Sequence, residues 1–306
     1  PTPIVLDCDP GHDDAIALLL ALASPELELL GVTTTYGNQT VEKTTANALR
    51  VLELVGRTDV PVARGAASPL SRPLTVAAHV HGDSGLDGPA LPPPSVAPAG
   101  TPAVEWLAAT IQRAKTPVTL VPTGPLTNVA RYLESHGTAG IDRIVLMGGA
   151  IAEGNMTPAA EFNVWADPEA AQIVFDAALD VTMIGLDVTH KAITGPDVQR
   201  RLRESGSIGV FVAELIDFFT VYHRQTYGWD GAPIHDAVAV AHLLRPGLVE
   251  TKLRNVEVER VSELCRGRTV VDLWLRTERA PNAHVGVDLD GSAFFDLLVD
   301  RIGRLG

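Results

Sequence analysis

Short apolar runs alternate with longer amphipathic ones along most of the chain, and this alternation predicts strands and helices in turn. Ile4-Val5-Leu6 has the length and branching of a buried strand. Pro10-Gly11 stops it, and Ala15-Ile16-Ala17-Leu18-Leu19-Leu20 resumes as a mostly buried helix. Asp13 and Asp14 fall in the first turn of that helix, where the macrodipole favours acids. Residues 27–35 predict a second strand. Residues 41–55 predict a helix capped by Thr40, with Ala46, Leu49, Leu52 and Leu54 as its apolar stripe. A short third strand covers 60–63. A polar, Pro- and Gly-rich stretch then runs from Arg64 to about Gly100; loops of that length are commonly functional or mobile. Alternation resumes with a helix over 102–114, a strand over 118–121, a helix after Asn128, a strand over 144–147, a helix over 167–178 and a strand over 181–184. Past Ser207 the pattern turns helical, over 207–222 and 235–244. Strands near Val256, over 270–275 and over 285–287 follow, and a helix from Ser292 closes the chain.

Strands alternating with helices imply parallel βαβ units with right-handed crossovers. The expected fold is therefore α/β: an open, mostly parallel, Rossmann-like sheet flanked by helices, with an additional C-terminal region of helices and strands. No change of composition marks a linker and no repeat is visible, so residues 1–306 read as one domain.

Composition narrows the function. A hydrophobic content of 46% is ample for a large core, and a formal charge of −13 argues against nucleic acid, whose binding rests on basic patches. That charge also disfavours highly anionic substrates. Cys8 and Cys265 are too few for a disulfide framework. No apolar run is long enough to span a bilayer, and no basic segment with an apolar stretch precedes the first strand. The expectation is a soluble, cytoplasmic protein with no membrane partner.

In an open parallel sheet, ligands bind outside the carboxyl ends of the strands. The first strand end supplies Asp7, Asp9, Asp13 and Asp14, with Asp7 and Asp9 two apart and so on one side. Four carboxylates this close repel one another and push pKa values up unless a cation sits among them. An all-oxygen set suits Ca²⁺ or Mg²⁺ rather than zinc. The second strand end brings Asn38, the next Thr123, and the one after it Met147 with Asn155 beyond. Glu161, Asn163, His235 and Asp236 arrive from later turns. One Asp at a helix start is commonly a cap and one Asn in a loop commonly a turn former, so the convergence of the set carries the weight.

The stretch DCDPGHDDA at residues 7–15 resembles the signature of the inosine-uridine-preferring nucleoside hydrolase family. Further segments resemble that family too: Gly37-Asn38, residues 121–128 (VPTGPLTN), Met147-Gly148-Gly149, Gly154-Asn155, Glu161-Phe162-Asn163, residues 167–171 (DPEAA) and His235-Asp236. The resemblance implies a Ca²⁺ held by Asp9, Asp14, the backbone carbonyl of Thr123 and Asp236, with Asp9 as general base. It implies a ribose clamp of Asp13, Asn38, Asn155, Glu161 and Asn163, with Met147 packed on the sugar. His235 would be the general acid for the leaving base, His81 a second histidine on the base side, and Tyr227 a residue near the base. His79 and His223 read as surface residues without a role. No tryptophan stands at the His81 position, a departure from the purine-specific branch, which leaves Trp229 and Trp274 as the indoles available for stacking.

The expected activity is Ca²⁺-dependent hydrolysis of ribonucleosides to ribose and free base, with pyrimidine or mixed preference. A homotetramer or homodimer is the assembly the resemblance implies. Two other readings compete. A metal-dependent phosphohydrolase also places Asp after a first strand, yet the nucleophile motif and phosphate loop it needs are missing. A non-catalytic nucleoside- or ribose-binding protein would keep the clamp and lose the base and acid, and both Asp9 and His235 are present.

Overall fold

Ile4, Val5 and Leu6 are each completely buried, as expected of a parallel strand covered on both faces. The computed structural model describes residues 1–306. The chain begins with β1 (Thr2–Cys8), α1 (His12–Leu22), β2 (Leu27–Thr34), α2 (Val41–Leu54), β3 (Val62–Arg64), α3 (Ala78–His81) and α4 (Ala103–Arg113). It continues through β4 (Val118–Pro122), α5 (Thr127–His136), β5 (Ile141–Met147), α6 (Phe162–Ala166), α7 (Pro168–Phe175) and β6 (Asp180–Ile184). Four helices follow: α8 (Leu186–Thr189), α9 (Pro196–Glu204), α10 (Ser207–Tyr227) and α11 (Asp236–Leu244). The remainder is β7 (Val249–Arg254), β8 (Val256–Val258), β9 (Thr269–Val271), β10 (Ala283–Leu289) and α12 (Gly291–Ile302).

Eight strands form one sheet in the order β3-β2-β1-β4-β5-β6-β10-β7, parallel except for β7, while β8 and β9 pair on their own. Side chains on a strand alternate between faces, and the core divides accordingly. Ile4 and Leu6 join α1, α2, α10, α11 and α12 on one side of the sheet. Val5 joins α4, α5 and α7 on the other. No helix is long and apolar enough to cross a membrane.

The order reverses between β1 and β4: from β1 the chain winds outward to β3, then returns to β4 and winds the other way. Loops leaving the two strands diverge there and open a crevice, the usual ligand site of such sheets. Asp9 follows β1 and Thr123 follows β4, so the switch point lies between two of the expected site residues.

The structure departs from the sequence expectations in several places. β7 was not anticipated: it is a charged, largely exposed edge strand without clear alternation, antiparallel to β10. The strand expected over 270–275 stops at Val271, because the Asp272 carboxylate accepts the backbone N–H groups of Arg276 and Thr277 and turns the chain. α9 also escaped notice, since only Leu202 of its nine residues is buried and no apolar stripe exists to read. α10 runs five residues past its expected end to Tyr227, where left-handed Gly228 closes it. The long stretch after Arg64 is pinned at its centre. Gln39 donates its side-chain amide to the carbonyls of Gly82 and Asp83, and Asn47 donates to that of Ser84.

Candidate active site

Two helix N-termini meet at the switch point. Gly11 caps α1, with Asp13 and Asp14 in its first turn; His235 caps α11, with Asp236 as its first residue. Both helices turn their positive ends toward these acids, which offsets part of the repulsion. Ligand oxygens of Asp13, Asp14 and Asp236 all lie within 4.8 Å of one another. Two unit charges at about 4 Å repel by about 4 kcal/mol at an effective dielectric of 20, so the trio is costly without a counter-charge. Burial pushes Asp13 up to about 7, with Asp14 adding to the shift. Asp9 and Asp236 are raised by burial and by their neighbours, and Asp14 by burial.

Asp9 lies at the floor beside Asp14. Its Oδ2 accepts the backbone N–H of Asn38 at 2.6 Å, and its Oδ1 is buried with no partner at all. An unpaired, buried carboxylate oxygen is expensive, and a hard cation is the group that would satisfy it. Asp14 is tied down more fully, accepting from Gly11 N–H, the Asn38 amide and the Thr123 hydroxyl. Thr123 turns its carbonyl to the Asn163 amide at 2.8 Å, and that oxygen keeps a second lone pair. Glycines make this packing possible. A Cβ at Gly37 or Gly124 would overlap the Asp9 carboxylate, and one at Gly11 would lie 2.6 Å from the Asn38 amide nitrogen.

Above this floor opens a cleft of about 710 Å³. It is lined by Asp13, Asn38, His81, Thr123, Met147, Asn155, Glu161, Asn163, Tyr227, His235 and Asp236, which are all the sequence candidates except Asp9 and Asp14. Glu161 is buried, and its carboxylate accepts the backbone N–H groups of Gly149, Asn163 and Val164. Burial still raises it to about 7. Asn163 spends its amide hydrogens on the Thr123 and Met147 carbonyls, and Asn155 accepts from Phe162 N–H. On the opposite wall His235 is buried, with Nδ1 2.7 Å from the Thr189 hydroxyl. Burial holds His235 and His81 below the usual histidine range. Tyr227 stacks on Trp229 with ring centroids 4.6 Å apart.

Some expectations are corrected. Asp7 does not join the acidic group facing the crevice: it lies inside β1, two residues before Asp9, and Thr33 and Asn128 both donate to its Oδ1. His223 is no surface residue. It is buried, lines the cleft and stacks with Tyr227 and Trp229, because α10 turns that face inward. His79 is exposed, as expected, and its ring also lines the cleft, meeting Tyr222 edge-on. Trp274 is 78% exposed and lies outside the cleft.

Other lining residues went unread in the sequence. His190 stands beyond β6, where the same strand-end rule would have found it. Phe219, Tyr222 and His223 recur at helical spacing on α10, which is usually a sign of core packing.

The chain resembles known proteins along nearly its whole length. Residues 4–296 match the family described as inosine-uridine preferring nucleoside hydrolase. A pyrimidine-specific ribonucleoside hydrolase RihA of Shewanella sp. (strain MR-4) is 55% identical over 98% of this chain and 96% of its own length. Its namesake in Escherichia coli O1:K1 / APEC is 54% identical, covering 98% of each chain. A purine-preferring ribonucleoside hydrolase from Gardnerella vaginalis superposes with a TM-score of 0.92 at 34% identity, over 99% of both chains. The acid-floored cleft thus belongs to a ribonucleoside hydrolase, an enzyme that cleaves N-glycosidic bonds, and the chain is a member of the inosine-uridine preferring nucleoside hydrolase family.

Proposed function

We propose that this enzyme hydrolyses pyrimidine ribonucleosides to ribose and free base with the help of a Ca²⁺ ion. The observation that carries the metal is the buried, unpartnered Oδ1 of Asp9 beside the clustered carboxylates of Asp13, Asp14 and Asp236. Asp9, Asp14, Asp236 and the Thr123 carbonyl would hold the ion. When bound, a hard dication neutralises these acids, activates water as a Lewis acid and grips vicinal hydroxyls. The pyrimidine preference is supported by the relatives at 54–55% identity, named for it. No tryptophan replaces His81 on the base side.

The chain's own groups divide the work. Asp9 takes a proton from the water whose oxygen bonds to C1′. The C1′–N bond breaks with its electron pair leaving on the base, and His235 donates the proton that keeps the base a good leaving group. Asp13 and Glu161 hold sugar hydroxyls, and their negative charge stabilises the oxocarbenium character that develops. Asn38, Asn155 and Asn163 complete the clamp over Met147. Acids around the sugar would repel a 5′-phosphate, so nucleosides rather than nucleotides are the substrates.

Reducing-sugar release from uridine, cytidine, inosine and adenosine, with and without a calcium chelator, tests the reading. Turnover of uridine and cytidine well above the purines, abolished by chelator and restored by Ca²⁺, is the expected result. Purine preference would overturn the specificity, and full activity in chelator would overturn the metal.

A further inference from the structure

Glu161 is held between two segments of chain, and a hairpin more than ninety residues further on braces both. β8 and β9 pair as an antiparallel hairpin outside the main sheet. Its Thr269 is buried, and the hydroxyl bonds to Ala150 alone. It accepts the Ala150 N–H at 2.9 Å and donates to the Ala150 carbonyl at 2.6 Å. One residue earlier, the Gly149 N–H donates to the Glu161 carboxylate at 2.8 Å. Thr269 also packs on Gly149, where a Cβ would lie 2.9 Å from its Cγ2. With a φ of +74° as well, that turn needs glycine on two counts.

The second brace falls on α6, the helix that Glu161 caps. Between β8 and β9 the chain turns at Gly267, where a Cβ would lie 2.5 Å from the Cα of Trp165. The turn therefore packs directly on the α6 backbone. Arg266 adds its guanidinium over the Trp165 ring, 4.8 Å from the centroid. The hairpin is itself anchored. Val258 N–H donates to the Gln172 side chain of α7 at 2.7 Å, and Val256 N–H to the Asn282 side chain at 2.8 Å. Val256 and Val258 belong to the core on the α4, α5 and α7 side of the sheet. A hairpin tied into the core can hold a neighbour still.

We propose that Thr269 is a positioning residue that fixes Gly149 and, through it, the Glu161 carboxylate against the sugar. This rests on the reading of Glu161 given above, as an acid that holds sugar hydroxyls. Of the three backbone N–H groups on that carboxylate, those of Asn163 and Val164 belong to its own helix and move with it. Only the Gly149 bond ties the carboxylate to another segment, the end of β5. Thr269 keeps that donor in place by gripping the next residue at both its N–H and its carbonyl. Without the grip, the negative charge that stabilises the developing oxocarbenium ion loses its aim. The effect falls on the sugar and is indifferent to the base.

Steady-state kinetics of the full-length enzyme on uridine and on a nitrophenyl riboside test this. Thr269→Val keeps the shape and removes both bonds, and kcat/KM should fall about thirtyfold on both substrates alike. Thr269→Ser keeps the hydroxyl and should stay within about threefold of the wild type. In a Glu161→Gln background, Thr269→Val should cost less than about threefold, because the charge it positions is already gone. A merely structural role would give the full loss in both backgrounds. Val and Ser variants that behave alike, a loss confined to one substrate, or losses that add to that of Glu161→Gln would overturn the proposal. If the Val variant fails to fold, Thr269→Cys, a weaker donor and acceptor, should lose about fivefold, and a Cys enzyme equal to the wild type would overturn it. A wild type inactive on every ribonucleoside would strike the functional reading instead. Calorimetry of ribose with Ca²⁺ would then decide this one: binding weakened in Val and kept in Ser supports it, and equal binding in both overturns it.

Discussion

The Asp9 carboxylate is held from one side only: Asn38 N–H donates to Oδ2 at 2.6 Å, and Oδ1 is left buried and bare. The bond aims the free oxygen, and two glycines make room for it. Gly37→Ala should therefore act on catalysis through Asp9, although residue 37 has no chemistry of its own. An added Cβ would collide with Oδ2, and misplacing a reacting group by about 1 Å costs about a hundredfold in rate. The expected kcat loss is of that order with the fold retained by circular dichroism. Asp9→Asn should lose at least as much. A Gly37→Ala enzyme with near-normal kcat would show that the aim of Asp9 is not critical.

His235→Ala is expected to lower kcat on uridine by about two to four orders of magnitude, the usual scale for a general acid. On a riboside whose leaving group needs no proton, such as a nitrophenyl riboside, the loss should be small. Equal losses on both substrates would remove His235 from the acid role.

Glu161 gives the metal-free protein a pH-dependent stability. Its carboxyl is raised to about 7 in the folded state from an ordinary 4.5, mainly by burial. Between these values the folded state binds more protons than the unfolded one, so stability falls as pH rises from about 4.5 to about 7. The group's contribution over that window is on the order of 3 kcal/mol. Glu161→Gln, which does not titrate, should flatten this slope in denaturant unfolding measured in chelator. A variant slope equal to the wild type's would show that Glu161 is ionised without penalty.

Calcium should stabilise the fold through the acidic floor. Binding to the native state alone adds about 2.7 kcal/mol at a hundredfold excess over Kd. Unfolding midpoints with and without Ca²⁺ should differ accordingly in the wild type and converge in Asp236→Asn. Mg²⁺ should do less, since it demands six ligands in a tight octahedron. No calcium shift in the wild type would speak against the proposed ion.

Much of the site was legible because the fold reads polar residues at strand ends as a group. Asp9, Asn38, Thr123 and Met147 leave four strands of one parallel sheet, and short-range patterning is enough to find such strands. Asp7 was misread because strand alternation says which residues share a side, and nothing about which of them a neighbouring strand or helix will bond. Thr33 and Asn128 are 26 and 121 residues away.

The sequence by itself determined the alternation of strands and helices, the acids after the first strand and the family likeness, because each is carried by neighbours along the chain. Only the tertiary structure decided which carboxylates meet across α1 and α11, that His223 turns inward, and that His12 touches His81 across 69 residues. Such contacts depend on how far a helix runs and how it is rotated against the sheet. Those are properties of packing, which local periodicity does not encode.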